Sequence, residues 1–256
     1  MNFNMYVDGS WLFKQCGAEG LLSSRTEYPS NRFRLDFSRL LDVVGEQLSA
    51  RLNGEAIERG ELYYYTALFS IPEEIDEDWP DTTVITRSTN ARQRFVDEAL
   101  AAGFLDCGIF KVPLRRWMVE KLAQQRYQEK MVDTSLVARL VERTINHPTS
   151  IHVVVSGDLD MLPGISTVVP DYSRKVVLLT THPDQYDRAQ AQSSFRLNQF
   201  KFDMEPIYLE QHVERIVGGD NVYTCGNPAC RKVFARSKPV PRGKNPVCKP
   251  CHEART

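Results

Sequence analysis

Ser150-Ile151-His152-Val153-Val154-Val155-Ser156-Gly157-Asp158-Leu159-Asp160 is the stretch on which the fold turns. Its short β-branched run reads as a buried strand, and a glycine-containing turn ends it abruptly. Two carboxylates, Asp158 and Asp160, follow at once. In an open parallel α/β sheet, ligands bind outside the carboxyl ends of the strands. Two acids so placed can share one hard cation.

Working outward, strand and helix alternate on both sides. Upstream, Val132, Leu136 and Leu140, with Val137 and Val141, recur at four-residue spacing and predict an amphipathic helix over 132–145. Before it, 114–130 is strongly basic, and Phe104–Val112 and Glu61–Phe69 read as strands, the latter begun after Gly60. Helices are expected at 92–102, closed by Gly103, and from Asp36 onward, where Phe37, Leu40, Leu41, Val44 and Leu48 share a face. Asn2–Val7 reads as the first strand, with a helical pattern from Trp11. The stretches 20–32 and 71–80 read as loops, the second acidic. Downstream, a helix is expected over 161–169, a strand over 175–180 and a short strand over 206–209. The fold class is therefore α/β, with a mainly parallel sheet of five or six strands flanked by helices. It spans 1–217; 218–222 is a linker, and 223–256 is a separate small module.

The 256 residues are 42% hydrophobic and 25% charged, which suits a globular chain with a sizeable core. No apolar run approaches the roughly 20 residues that span a bilayer, and the N-terminus lacks the pattern of a signal peptide. The expectation is a cytoplasmic protein with no membrane partner. The net charge of −1 hides an asymmetry: from Tyr223 onward the chain carries +7, leaving −8 on the rest. A basic appendage on an acidic body suggests a polyanion as partner, with a solubilising tail as the alternative.

Four of the six cysteines fall in that basic module, as Cys225-x₄-Cys230 and Cys248-x₂-Cys251. In a cytoplasmic chain, clustered cysteines favour metal over disulfides. Four thiolates make a closed tetrahedral structural zinc site, and His252 keeps a Cys₃His set open. So small a module needs the metal to fold. Between its knuckles lie Arg231, Lys232, Arg236, Arg242 and Lys244, candidates for nucleic-acid contact, with Phe234 free to pack or to stack on a base.

Two further acids mark element junctions. Asp8 ends the first strand, and Asp133 opens the amphipathic helix. Each has a simpler reading, Asp8 as a turn residue and Asp133 as an acid favoured at a helix start. The paired acids of the opening stretch are harder to dismiss, since like charges beside an apolar strand repel unless a cation lies between them.

In order, Val7-Asp8-Gly9-Ser10, Lys130-Met131-Val132-Asp133 and Ser156-Gly157-Asp158-Leu159-Asp160 resemble the NYN domain of the PIN-like nucleases. The resemblance covers residues 3 to about 209, and the module after it looks like a zinc ribbon. The third motif is complete. Trp11 stands where the family pattern has Asn, and Met131 where it has Gly. The resemblance implies a Mg²⁺- or Mn²⁺-dependent endoribonuclease, with RNA as the partner before DNA. Asp8, Asp133, Asp158 and Asp160 would then hold metal and Ser156 would bond a carboxylate or phosphate. Lys130 would steady the scissile phosphate. Ser10, Arg115, Arg116 and Arg126 would join the tail's cations along the strand of nucleic acid. A homo-oligomer is compatible with all of this. The competing reading, a catalytically inactive nucleic-acid-binding adaptor, rests on Trp11.

Overall fold

The computed structural model describes residues 1–17, 20–26, 34–70, 72, 79–123, 131–158, 161, 163–166, 176–181, 204–236 and 238–254. Its spine is β1 (Asn2–Asp8), buried at every position after Asn2. Around it lie β2 (Glu58–Ser70), β3 (Leu105–Pro113), β4 (Ile151–Val155), β5 (Val176–Thr180) and the short β6 (Ile207–Tyr208). All pairings are parallel, in the order β3-β2-β1-β4-β5-β6, which settles the expected sheet at six strands.

The connections are helical. α1 (Gly9–Cys16), α2 (Leu21–Ser24) and α3 (Phe37–Arg51) join β1 to β2. α4 (Thr83–Ala101) leads into β3, and α5 (Arg116–Ala123) and α6 (Met131–Asn146) lead from β3 to β4. One helical turn lies at 163–166, and α7 (Val213–Ile216) closes the body.

Because both sheet faces are covered, the strands read as near-continuous apolar runs whose alternate residues enter different cores. Met5, Val7 and Tyr64 pack with Leu12, Leu40, Val44 and Phe95 of α1, α3 and α4. Tyr6, Tyr63, Tyr65 and Val154 pack with Val132, Leu136 and Leu140 of α6. A slip of one residue in β1 would exchange Tyr6 with its neighbours between these layers, so the register is strongly fixed.

The structure corrects two sequence expectations. α4 begins at Thr83, nine residues before the expected start, because Thr, Ser and Asn between 83 and 90 carry no apolar period. Gly60 does not stop the chain but lies inside β2, where a Cβ would come 2.4 Å from Asn4 Oδ1. That carboxamide oxygen accepts the Glu61 amide at 2.8 Å, and the β1–β2 register shifts here. The basic stretch begins with a helix, α5, anchored by buried Leu114, Met118 and Val119 against Phe69, Trp79 and Ile85. Most of the expected 161–169 helix and the acids at 73–78 lie outside the described residues.

β7 (Val222–Thr224) and β8 (Val233–Ala235) form an antiparallel hairpin, and α8 (Lys249–Glu253) follows. The hairpin is docked on the body. Val233 donates its amide to the Arg25 carbonyl at 2.8 Å and buries its side chain in the main core. Upstream, Arg39 holds the carbonyls of Val217 and Gly219 at 2.8 and 3.2 Å.

Candidate functional site

The strand order reverses between β1 and β4, and at such a switch point the helices depart to opposite faces and leave a crevice at the carboxyl ends. Asp8 closes β1 on one side of it. Ser156 and Asp158 follow β4 on the other. Asp8 caps α1 through Oδ1, which accepts the Trp11 amide at 2.9 Å. Its Oδ2 accepts the Ser156 hydroxyl at 3.0 Å, and Ser156 Oγ in turn accepts the Asp158 amide at 2.9 Å. The two strand ends are thus tied through one hydroxyl. Each Asp8 oxygen keeps lone-pair capacity for a further donor or a cation.

Asp8 is 4% exposed. Burial drives its pKa above the ordinary 3.8, the Trp11 and Ser156 donors oppose that, and the negative charge of Asp158 raises it further. Asp158 itself is exposed. A buried carboxylate that feels an exposed one at a sheet's carboxyl edge is a place where a divalent cation would relieve strain between like charges.

The folded state therefore binds this proton more tightly than the unfolded state. Stability falls as pH rises from the unfolded value through the raised folded one, and above it the native chain bears the full cost. Asp8→Asn keeps the cap geometry and removes that cost. Its melting temperature in zinc-replete buffer without Mg²⁺ or Mn²⁺ is expected to exceed that of the wild type at pH 7. The gap should close toward pH 4. About 1 kcal/mol of relief reads as a rise of roughly 2–4 °C in a chain of this size.

Two glycines shape the crevice. A Cβ at Gly9 would come 2.3 Å from Tyr64 Cζ, a ring that is 1% exposed. Gly9→Ala is accordingly expected to destabilise by about 1–3 kcal/mol, read as a lower urea midpoint at unchanged slope. A Cβ at Gly157 would come 2.5 Å from Trp11 Nε1, so the indole lies across the Ser156-Gly157-Asp158 turn.

α6 runs antiparallel to the strands it covers and feeds β4, so its first turn, with Asp133, lies at this same carboxyl edge. Among the described residues, Asp8, Asp133 and Asp158 do not bring three ligand atoms within 4.8 Å of one another; only the cysteines do. Asp160, Lys130 and Arg126 lie outside the described residues.

Cys225, Cys230, Cys248 and Cys251 bring their sulfurs within 4.8 Å of one another. The Cys230 and Cys248 sulfurs are 3.7 Å apart. A tetrahedral centre with Zn–S bonds of about 2.3 Å has sulfurs about 3.8 Å apart. The cluster has the dimensions of a zinc site. His252 is exposed and outside it. Burial pushes the Cys225 thiol up, but the Cys248 and Asn227 amides and the neighbouring thiols bring it down to about 7. Burial, with the Cys251, Cys225 and Cys230 sulfurs, pushes Cys248 up to about 12. Four thiolates gathered here call for a cation to share their charge. Asn227 Nδ2 donates to Cys251 Sγ at 3.3 Å, the kind of outer contact that orients a ligand.

No protein-family model matches the sequence, and no curated protein matches it. Among solved structures, the chain is similar to the Vibrio parahaemolyticus protein VPA0982, a protein of unknown function. The two are 13% identical with a TM-score of 0.44, over 85% of this chain and 96% of that one. What is established is an α/β fold with a zinc-sized thiol cluster.

Of the other candidate residues, Ser10 sits in α1, its hydroxyl 3.3 Å from Thr66 Oγ1. Arg115 and Arg116 are exposed at the start of α5, and Arg231, Lys232, Arg236, Arg242 and Lys244 are exposed on the module. Phe234 is not available to a base: it is 6% exposed and packs against Cys225, Cys248 and Tyr223, because the module has few other apolar groups. One residue of the crevice escaped the sequence reading. Arg92 of α4 lies over the Phe13 ring at 5.4 Å; burial pulls its pKa down while Tyr64 and Asp8 support its charge. Only the lone cation on the buried face of α4 hinted at it. Thr181, just past β5 at the same edge, buries an Oγ1 without a hydrogen-bond partner. No described helix is long and apolar enough to cross a membrane.

Proposed function

We propose that the chain is a Mg²⁺- or Mn²⁺-dependent endoribonuclease of the NYN type, assisted by a basic zinc ribbon that holds RNA. The observation that carries this reading is the Asp8–Ser156–Asp158 linkage at the switch point, where burial first, and then the Asp158 charge, raise the pKa of Asp8. Mg²⁺ needs only one or two protein carboxylates beside waters and phosphate oxygens, so Asp8 and Asp158 fit it, with Asp160 and Asp133 as further acids. When bound, such a cation acidifies a water and neutralises charge on the phosphodiester. The chain's own residues do the rest. Ser156 fixes the Asp8 carboxylate, and Trp11 closes over the turn. Arg92, whose charge Tyr64 and Asp8 support, would offer a cation to a phosphate oxygen. Lys130 would steady the scissile phosphate.

The exposed cations of α5 and of the ribbon would contact the phosphate backbone, offsetting an otherwise acidic body. The test is incubation of purified, zinc-loaded protein with labelled single-stranded and hairpin RNA in Mn²⁺ or Mg²⁺. Internal cleavage that stops on chelation of the divalent ion is the expected result. A non-catalytic adaptor is favoured by one observation, the Trp11 indole lying across the turn that carries Asp158. Tight RNA binding with no cleavage in any divalent ion would establish it instead.

A further inference from the structure

Trp117 is 53% exposed, an unusual position for so large an apolar ring. It is held there deliberately by the local sequence. Leu114, Met118 and Val119 are 2–3% exposed and pin α5 into a small core with Phe69, Trp79 and Ile85. The Leu114 amide also bonds the Ser70 carbonyl at 2.9 Å. With one side of the helix fixed, the other side turns Arg115, Arg116, Trp117 and Lys121 outward. The Lys121 ammonium lies 5.0 Å from the Trp117 ring centroid. α5 begins directly after β3, so this platform stands at the carboxyl edge that also carries Asp8 and Asp158. β3 is two strands from β1, a separation of about 10 Å in the sheet direction.

We infer that Trp117 is a base-stacking platform that makes this edge select single-stranded nucleic acid over duplex. The inference rests on the nuclease reading for its location, and it names the substrate form that reading leaves open. A flat aromatic face among cations matches a ligand with exposed π faces and regular negative charge, which is a single strand. A duplex offers the same phosphates but keeps its bases stacked, so the ring gains nothing from it. The charge argues against an ordinary apolar protein contact: Lys121 lies over the ring and the exposed Arg115 and Arg116 precede it in the chain, on a body that carries −8 up to the ribbon.

The test measures binding, without cleavage. Zinc-loaded protein without Mg²⁺ or Mn²⁺ is titrated into a fluorescein-labelled single-stranded RNA and into the duplex of the same sequence, followed by anisotropy. Trp117→Ala is expected to weaken single-strand binding roughly 5- to 150-fold and to leave duplex binding unchanged. Trp117→Tyr should restore most of the loss. Arg115→Ala with Arg116→Ala should weaken both ligands alike and flatten the salt dependence by roughly 1–2 in slope.

Equal loss on both ligands, or no loss on either, would overturn the platform. So would sedimentation showing that Trp117→Ala turns a dimer into a monomer, since the ring would then serve a second copy of the chain. A wild-type protein that binds single strands through Trp117 but cleaves nothing would uphold the platform and remove the nuclease reading.

Discussion

Asp158→Asn is expected to lower Mn²⁺-dependent cleavage of single-stranded RNA by about a thousandfold, which corresponds to roughly 4 kcal/mol of lost transition-state stabilisation. The fold should survive the change. Asp158 is exposed, and the turn that carries it is held by its amide on Ser156 Oγ and by the Trp11 indole over Gly157, neither of which involves its carboxylate. Zinc content should therefore match the wild type, and the thermal midpoint at pH 7 without divalent ion should be equal or slightly higher, because the Asp158 charge no longer opposes ionised Asp8. RNA binding without divalent ion should hold or tighten slightly, because one negative charge has left the path of a polyanion. Loss of cleavage with retained binding separates a role in the reaction from a role in recruitment.

The same substitution has a second readout. The Asp158 charge is one cause of the raised Asp8 pKa, after burial. Removing it should move the Asp8 titration down toward the ordinary range, narrowing the pH window over which the wild type loses stability. Mn²⁺ should raise the melting temperature of the wild type and do so less for Asp158→Asn, as a ligand that binds only the native state must. A variant that cleaves at the wild-type rate, with an unmoved Asp8 titration, would remove Asp158 from the site.

The parts legible in the sequence were those that repeat or punctuate locally. Val153-Val154-Val155 ending in Ser156-Gly157-Asp158 marked both a strand and the edge where Asp8 now meets Ser156. The four-residue recurrence of Val132, Leu136 and Leu140 gave α6 to within a residue at each end. The cysteine spacing pointed to a cluster, and the four sulfurs do lie together. What was not legible depends on partners distant in the chain. The first half of α4 is polar on most sides, so periodicity is blind to it. Gly60 looked like a stop because its reason for being Gly, the Asn4 carboxamide, is on another strand. Arg92 feels the Asp8 charge from α4, an element that packs on α1, and only the sheet order brings those elements together. Phe234 could equally have stacked or packed, and the small module's need for apolar burial chose packing.

Loss of zinc is expected to unfold residues 222–254 while the six-stranded sheet persists. Cys248→Ser should do the same. The module's own apolar core is Phe234 with Tyr223 and Val247 around the cysteines, far too little to offset the entropy of ordering the chain. In comparable modules, structural zinc binding is worth about 10–16 kcal/mol, which is folding free energy here because no preformed site exists in the unfolded chain. Hydrogen exchange should show the Cys225 and Gly226 amides, now bonded to the Lys232 and Pro246 carbonyls, losing protection together. The body should feel it too. Val233 lies in the main core and its amide caps the Arg25 carbonyl, so releasing the hairpin strips cover from α2 and lowers the body's midpoint by a few degrees. Because Arg231 and Lys232 flank that same strand, RNA affinity and its salt slope should fall with the zinc, whereas Trp117-dependent single-strand preference, anchored on α5, should remain. A metal-stripped chain that keeps both its protected module amides and its full salt slope would show that the cysteines are packing residues rather than a zinc centre.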